Sequence, residues 1–138
     1  MGRNLAKLLA LALGPLFAVG CQGEDDSIKV PTKKYPGDSI PAVLVHVKVK
    51  RVDVHGTWVC PVIDHKGKES LLILPPKSTG AVEPSPTFTV GGHALKEGDT
   101  FDTSWLAPQD KPVKCGDTTY EHAVLMSTDD VTQPSEAK

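Results

Sequence analysis

The chain reads as all-β, a small sandwich or partly open barrel of about seven short strands. Three observations predict this. Val43, Val45, Val47 and Val49 alternate with Leu44, His46, Lys48 and Lys50, a period of two that fits a strand. Turn-forming residues recur at short intervals afterwards, as Asp64-His65-Lys66-Gly67, Gly91-Gly92 and Glu97-Gly98-Asp99. No stretch between them carries the 3.6-residue recurrence of an amphipathic helix, and the dense β-branched residues lose side-chain freedom in one.

The elements follow in order. After Lys50-Arg51 the apolar positions move to Val52 and Val54, a one-residue change of phase without a turn signal. Either a β-bulge keeps the valines on one face, or two strands meet at a bend. Gly56 leads into a second strand, Thr57–Ile63, with Trp58, Cys60 and Val62 on one face. Pro61 cannot donate to a ladder and places this strand at an edge or a bulge. Glu69–Leu74 is apolar on both faces through Leu71-Leu72-Ile73-Leu74, the mark of the most central strand, and Pro75-Pro76 ends it. Lys77–Pro86 reads as a loop. Thr87–Val90 and His93–Leu95 form a hairpin across Gly91-Gly92. Thr100–Leu106 places Phe101, Thr103 and Trp105 on one face, Ala107–Thr118 is a polar loop holding Cys115, and Tyr120–Met126 is the last strand. An immunoglobulin pattern is excluded, because Trp58 precedes Cys60 and Val113 stands two before Cys115.

The first 21 residues have a different character. Arg3 and Lys7 precede an apolar run, Leu5–Val19, that ends in Ala18-Val19-Gly20-Cys21. This is the layout of an export signal. Gly14-Pro15 interrupts the run, which falls short of the roughly 20 apolar residues that span a bilayer. Its end resembles the lipobox of bacterial lipoproteins; Val19 and Gly20 fit, and Ala18 stands where leucine is usual. The resemblance implies removal of residues 1–20, acylation of Cys21, and localisation to the bacterial cell envelope with the lipid as membrane attachment. Gln22 is not the aspartate tied to inner-membrane retention in enteric lipoproteins. The outer membrane and the outer leaflet of the cytoplasmic membrane are both open.

Residues 21–41 are polar, charged and broken by Pro31, Pro36 and Gly37. They read as a flexible lipidated tether with a reach of roughly 25 Å. Residues 42–126 form the β-rich domain and 127–138 a disordered polar tail. With Cys21 carrying lipid, Cys60 and Cys115 are the two remaining thiols. An oxidising compartment favours their pairing as a disulfide.

The charge balance excludes one partner class. The chain holds 15 Lys and Arg against 17 Asp and Glu, and two of the cations leave with the leader. The mixed, net negative remainder lacks the basic face of a nucleic-acid binder. Five histidines raise a metal site, with His46, His93 and His122 as candidates because all three fall in strands and would have to converge in space. None stands at a close ligand spacing, and exposed strand faces account for them equally well. No nucleophile elbow or phosphate loop is present, and the carboxylate pairs Asp25-Asp26 and Asp129-Asp130 lie in tether and tail. Lys48, Lys50 and Arg51 form a small basic cluster that reads as a solvated strand face.

No catalytic set and no cofactor are expected. The leading expectation is a lipid-anchored binding or interaction module, with an envelope protein as partner, in the manner of an inhibitory or phage-type exclusion lipoprotein. The alternative is a small envelope enzyme or a ligand or metal carrier using strand-face histidines. A deep pocket lined by two or more histidines separates the two and favours the second. If Cys21 is the acylation site, Cys21→Ser abolishes incorporation of labelled fatty acid and leaves the chain unprocessed or released. Equal labelling of both proteins refutes the lipobox.

Overall fold

The computed structural model describes residues 27–37 and 39–133. The leader, Cys21 and the first residues of the tether lie outside the described residues, so the acylation site has no structural account. The described chain is all-β. Its strands are β1 (Val45–His55), β2 (Trp58–His65), β3 (Lys68–Ile73), β4 (Thr79–Ala81), β5 (Thr87–Val90), β6 (His93–Lys96), β7 (Thr100–Thr103), β8 (Leu106–Pro108), β9 (Val113–Cys115), β10 (Thr118–Tyr120) and β11 (Ala123–Met126). Six of them form one sheet in the order β7-β1-β2-β3-β11-β8; β4-β5-β6 form a second sheet and β9-β10 a hairpin.

Connectivity forces the large sheet to curl. Laid flat, its outer strands would stand about 24 Å apart at the usual inter-strand spacing. Yet β7 and β8 are consecutive, and Thr103 to Leu106 spans at most about 10 Å. The expected single strand Thr100–Leu106 therefore breaks at Ser104-Trp105, where the edges meet. Ser127 N–H donates to the Trp105 carbonyl at 3.3 Å, and Asp102 and Thr132 exchange backbone bonds of 2.7 and 3.0 Å beside this seam. The result is a partly open barrel with a second sheet against its inner face.

Two apolar layers explain the doubly apolar strands. On the inner face Val59, Ile63, Leu72, Leu74, Val124 and Met126 pack with Phe88, Val90 and Leu95 of the second sheet. On the outer face Leu71, Ile73, Ala123, Leu125 and Cys60 lie beneath Cys115, with Trp58, Val113 and Tyr120 packed alongside. Strands β2, β3 and β11 supply both layers. The centrality read from Leu71-Leu72-Ile73-Leu74 is the position of β3 between β2 and β11.

The register decides between the two readings of the phase change. Val49 faces Ile63 while Arg51 faces Val62, a one-residue shift within a continuous β1. It is a bulge, and it lets Val52 join Val45, Val47 and Val49 at the inner core. The turn between β6 and β7 hooks onto the same place: Gly98 N–H donates to the Val49 carbonyl and Val49 N–H to the Asp99 carbonyl, both at 2.8 Å.

The edge position considered for Pro61 is corrected, because β2 lies between β1 and β3. The proline sits at a fork instead. The β2–β3 ladder runs from His65↔Lys68 to Val62↔Leu71 and stops there. Beyond it an N-terminal segment enters the gap. Lys29 N–H donates to the Thr57 carbonyl and Val59 N–H to the Lys29 carbonyl, each at 2.8 Å. Leu74 N–H donates to the Pro31 carbonyl at 2.8 Å and Lys33 N–H to the Leu74 carbonyl at 3.0 Å. Pro61 thus falls where β2 changes neighbours and no donor is needed.

The boundaries of the tether and tail move accordingly. Ile28–Lys33 belongs to the fold and buries Val30 in the inner core. Gly80 makes room for it, since a Cβ there would stand 2.7 Å from Val30 Cγ1. The C-terminal segment is docked as far as Val131 and Thr132, with Val131 buried. In both cases a β-branched valine in an otherwise polar stretch finds apolar cover that composition alone does not reveal. Further elements appear where loops were expected. Lys77–Pro86 contains β4, which pairs with β5, and Ala107–Thr118 contains β9. Tyr120 closes β10, separate from β11. The Gly91-Gly92 turn joins β5 to β6 with both glycines at positive φ, 58° and 84°, as a two-residue hairpin requires.

Cys60 and Cys115 are joined by a disulfide with a sequence separation of 55. It fastens the β9–β10 hairpin over the outer layer. On the chain-entropy account this closure contributes about 4 kcal/mol. Reduction is expected to lower the melting temperature by more than about 10 °C and to open the hairpin first, read as loss of amide protection at Val113 and Tyr120. An unchanged melting temperature after complete reduction refutes that role.

Candidate functional site

Side-chain alternation along β2 and β3 carries past the inner core into a cleft. Ile63 and Leu72 face inward; two residues further along each strand, towards the connecting turn, come His65 and Ser70, followed by Lys68. On β11 Val124 faces inward, and His122 stands two residues before it. At this end of the barrel the inner face opens as a cleft of about 380 Å³, lined by His65, Lys66, Lys68, Ser70, Gln109 and His122. Pro108, Ala123 and Val124 complete its wall. Mouths of β-barrels are common ligand sites for this reason, since the inward positions lack partners there.

The electrostatics of the cleft are one-sided. Two lysines and two histidines line it, with no carboxylate among the described lining residues. Burial and the neighbouring Lys66 charge both push the His65 imidazole below its ordinary pKa, so it is neutral at pH 7. Ser70 is 3% exposed, and its hydroxyl makes only a long 3.3 Å bond to the Lys68 carbonyl. Gln109 is fixed by its own backbone N–H, which donates to the Ala123 carbonyl at 2.9 Å, and by Nε2, which donates to the Ala107 carbonyl at 2.9 Å.

A second groove of about 350 Å³ lies at the fork. It is lined by Trp58, Ile73, Val113, Lys33, Lys114 and again Gln109. The segment from Ala107 to Lys114 therefore runs between two concave surfaces. The sequence pointed to this segment as a polar loop without revealing either groove.

The three candidate histidines are not brought together. His46 is exposed on β1, with Nδ1 against Asp102 Oδ1 of β7. His93 opens β6, its Nδ1 3.4 Å from Gln133 Oε1. His122 lines the cleft, and its histidine neighbour there is His65, which falls in the Asp64-His65-Lys66-Gly67 turn signal and not among the three strand candidates. Counting two residues on from Ile63 would have put His65 on the inward face. Among the described residues no group of three or more His, Cys, Asp or Glu side chains is placed to hold a metal ion.

Two cations of the β1 basic cluster, Lys50 and Arg51, are paired within the fold. Lys50 Nζ lies 3.0 Å from Glu69 and 3.6 Å from Asp64. Arg51 donates from Nη1 to Glu69 at 2.7 Å and from Nε to Asp53 at 2.8 Å. Asp53 in turn accepts the Tyr120 hydroxyl at 2.8 Å, and His55 Nε2 donates to that hydroxyl at 2.9 Å. This chain of polar groups ties the β9–β10 hairpin to β1 on the outer face. The hydrogen bonds from Arg51 and Lys50 hold the Glu69 carboxyl below its usual range. Burial, and then the bond to the Asp53 carboxylate, push the Tyr120 hydroxyl well above the ordinary tyrosine value.

No family model, curated protein or solved structure matches this chain.

The Tyr120 geometry yields a signed expectation. A tyrosine whose pKa is raised by folding holds its proton more tightly folded than unfolded. Its contribution is complete below about pH 10 and declines as pH rises above that value. Tyr120→Phe is expected to cost about 1–2 kcal/mol at pH 7 and to flatten the alkaline limb of a pH–stability curve. An alkaline limb identical in both proteins refutes the assignment.

Proposed function

We propose that the protein is a lipid-anchored domain of the bacterial envelope that works by binding, with the cleft at the β2–β3 turn as its ligand site. The observation that carries this reading is the cleft itself: His65, His122, Lys66 and Lys68 converge on the unpartnered end of an inner barrel face. Two histidines line it, but it is an open cleft and not the deep pocket that favours an enzyme or carrier, so binding of a ligand at this surface is the reading kept. Binding residues on rigid strands and short turns suit that role, because little order has to be created when the ligand arrives. The lipobox-like Ala18-Val19-Gly20-Cys21 and the Cys60–Cys115 disulfide support an exported, anchored setting. The segment Ala107–Lys114, between the two grooves, is the adjoining surface for an envelope protein partner.

Native mass spectrometry of the full chain, purified from its own membranes, tests the binding reading. Wild type is expected to retain a bound species that Lys68→Glu with His122→Ala loses, while His46→Ala and His93→Ala keep it. The melting temperature of the double variant should stay within about 2 °C of wild type, since both side chains are exposed. Retention by neither protein, or equally by both, refutes the cleft as the ligand site.

A further inference from the structure

We infer that the cleft takes a phosphate-type oxyanion, inorganic phosphate or a phosphomonoester, from the aqueous side facing away from the anchoring membrane. The inference rests on the binding reading and adds the ligand's chemistry and the direction of its approach.

The chemistry follows from the lining. Lys66 and Lys68 supply fixed positive charge, Ser70 a buried hydroxyl with one long backbone bond, and Gln109 a side-chain amide already held in place. Lysine serves as a point charge for phosphate, and hydroxyl and amide donors complete the shell. Two acids close in sequence, Asp64 and Glu69, pair with Lys50 on the outer face. The groups facing His65 are Lys66 from the turn, Lys68 from β3 and His122 from the flank of β11, while Pro108 and Gln109 on the remaining side carry no charge. Burial, and then the Lys66 charge, disfavour protonation of His65. A bound anion reverses that balance, so binding takes up a proton and tightens as pH falls.

The direction follows from the fork. Ile28–Lys33 is held at the Trp58 end of β2, through Lys29. Only seven residue steps separate Ile28 from Cys21, at most about 24 Å of chain. The cleft lies at the other end of the same strand, at His65, roughly 23 Å further on at the rise of a β-strand. A chain that enters at the fork favours a membrane at that end, with the cleft facing outward.

Amide NMR titration of the full-length protein in neutral detergent micelles tests both parts. Inorganic phosphate and glycerol 3-phosphate are expected to give saturable shifts at His65, Ser70 and Gln109. Lys68→Gln should weaken both at least tenfold, and Lys34→Gln should weaken neither. Sulfate, whose charge is constant between pH 6 and 8, should bind at least threefold tighter at pH 6. Micelles doped with phosphatidic acid should leave the cleft amides in place; shifts there from the doped micelle alone overturn the outward orientation. Non-saturating shifts, shifts spread over other lysines, or equal binding by Lys68→Gln overturn the anion site. If those failures accompany a bound species that Lys68→Glu with His122→Ala still loses, the anion assignment falls and the binding reading stands. If no species is retained either, both fall together.

Discussion

The fold depends on three strands that are apolar on both faces. Strands β2, β3 and β11 cannot rest on water on either side, so each face needs a cover, and the two covers differ in strength. The inner face closes on the second sheet, where Phe88 and Leu95 are fully buried. The outer face receives only the short β9–β10 hairpin, whose three-residue strands are too small to hold position by ladder bonds alone. Covalent closure at Cys60–Cys115 and the His55–Tyr120–Asp53–Arg51 chain secure it. The disulfide is therefore a clamp on one specific layer, and the polar chain anchors the same hairpin at its far strand.

Much of this architecture was legible because it is local. Alternation in Val45–Val49, the phase change at Lys50-Arg51 and the Gly91-Gly92 turn each act over a few residues, and they appear as strand, bulge and hairpin, although Val43 and Leu44 stay outside β1 and exposed. What escaped is non-local. Ile28–Lys33 has the composition of a tether, and it is ordered because β2 and β3 diverge and leave unpaired ladder groups for Lys29 and Pro31 to meet. The break at Ser104-Trp105 is likewise invisible in Thr100–Leu106, whose alternation is unbroken. It arises from the need to join the two edges of one curled sheet.

The site divides along the same line. The polar loop Ala107–Thr118 was recognisable by composition, whereas the cleft is made largely by three strands whose order, β2-β3-β11, includes a parallel pairing over a long sequence gap. His122 was noticed as a strand histidine, and its neighbour His65 was hidden in a turn. Of the remaining candidates, His46 meets Asp102 across β1 and β7, and His93 meets Gln133; these are contacts within the fold. Residue type alone could not sort one kind from the other, because an inward histidine at a barrel mouth and an outward one on a strand carry the same local pattern.

The fork gives these separate features a common polarity. One end of β2 receives the Ile28–Lys33 segment; the other carries the basic cleft. The strand between them is among the most buried in the molecule, with Val59, Cys60 and Ile63 fully covered. A rigid, doubly covered strand keeps its two ends at a fixed separation, so the distance from fork to cleft is set by β2. The hydrogen bonds that fill the fork therefore fix the position of Ile28–Lys33 relative to the cleft, because both are referred to the same strand.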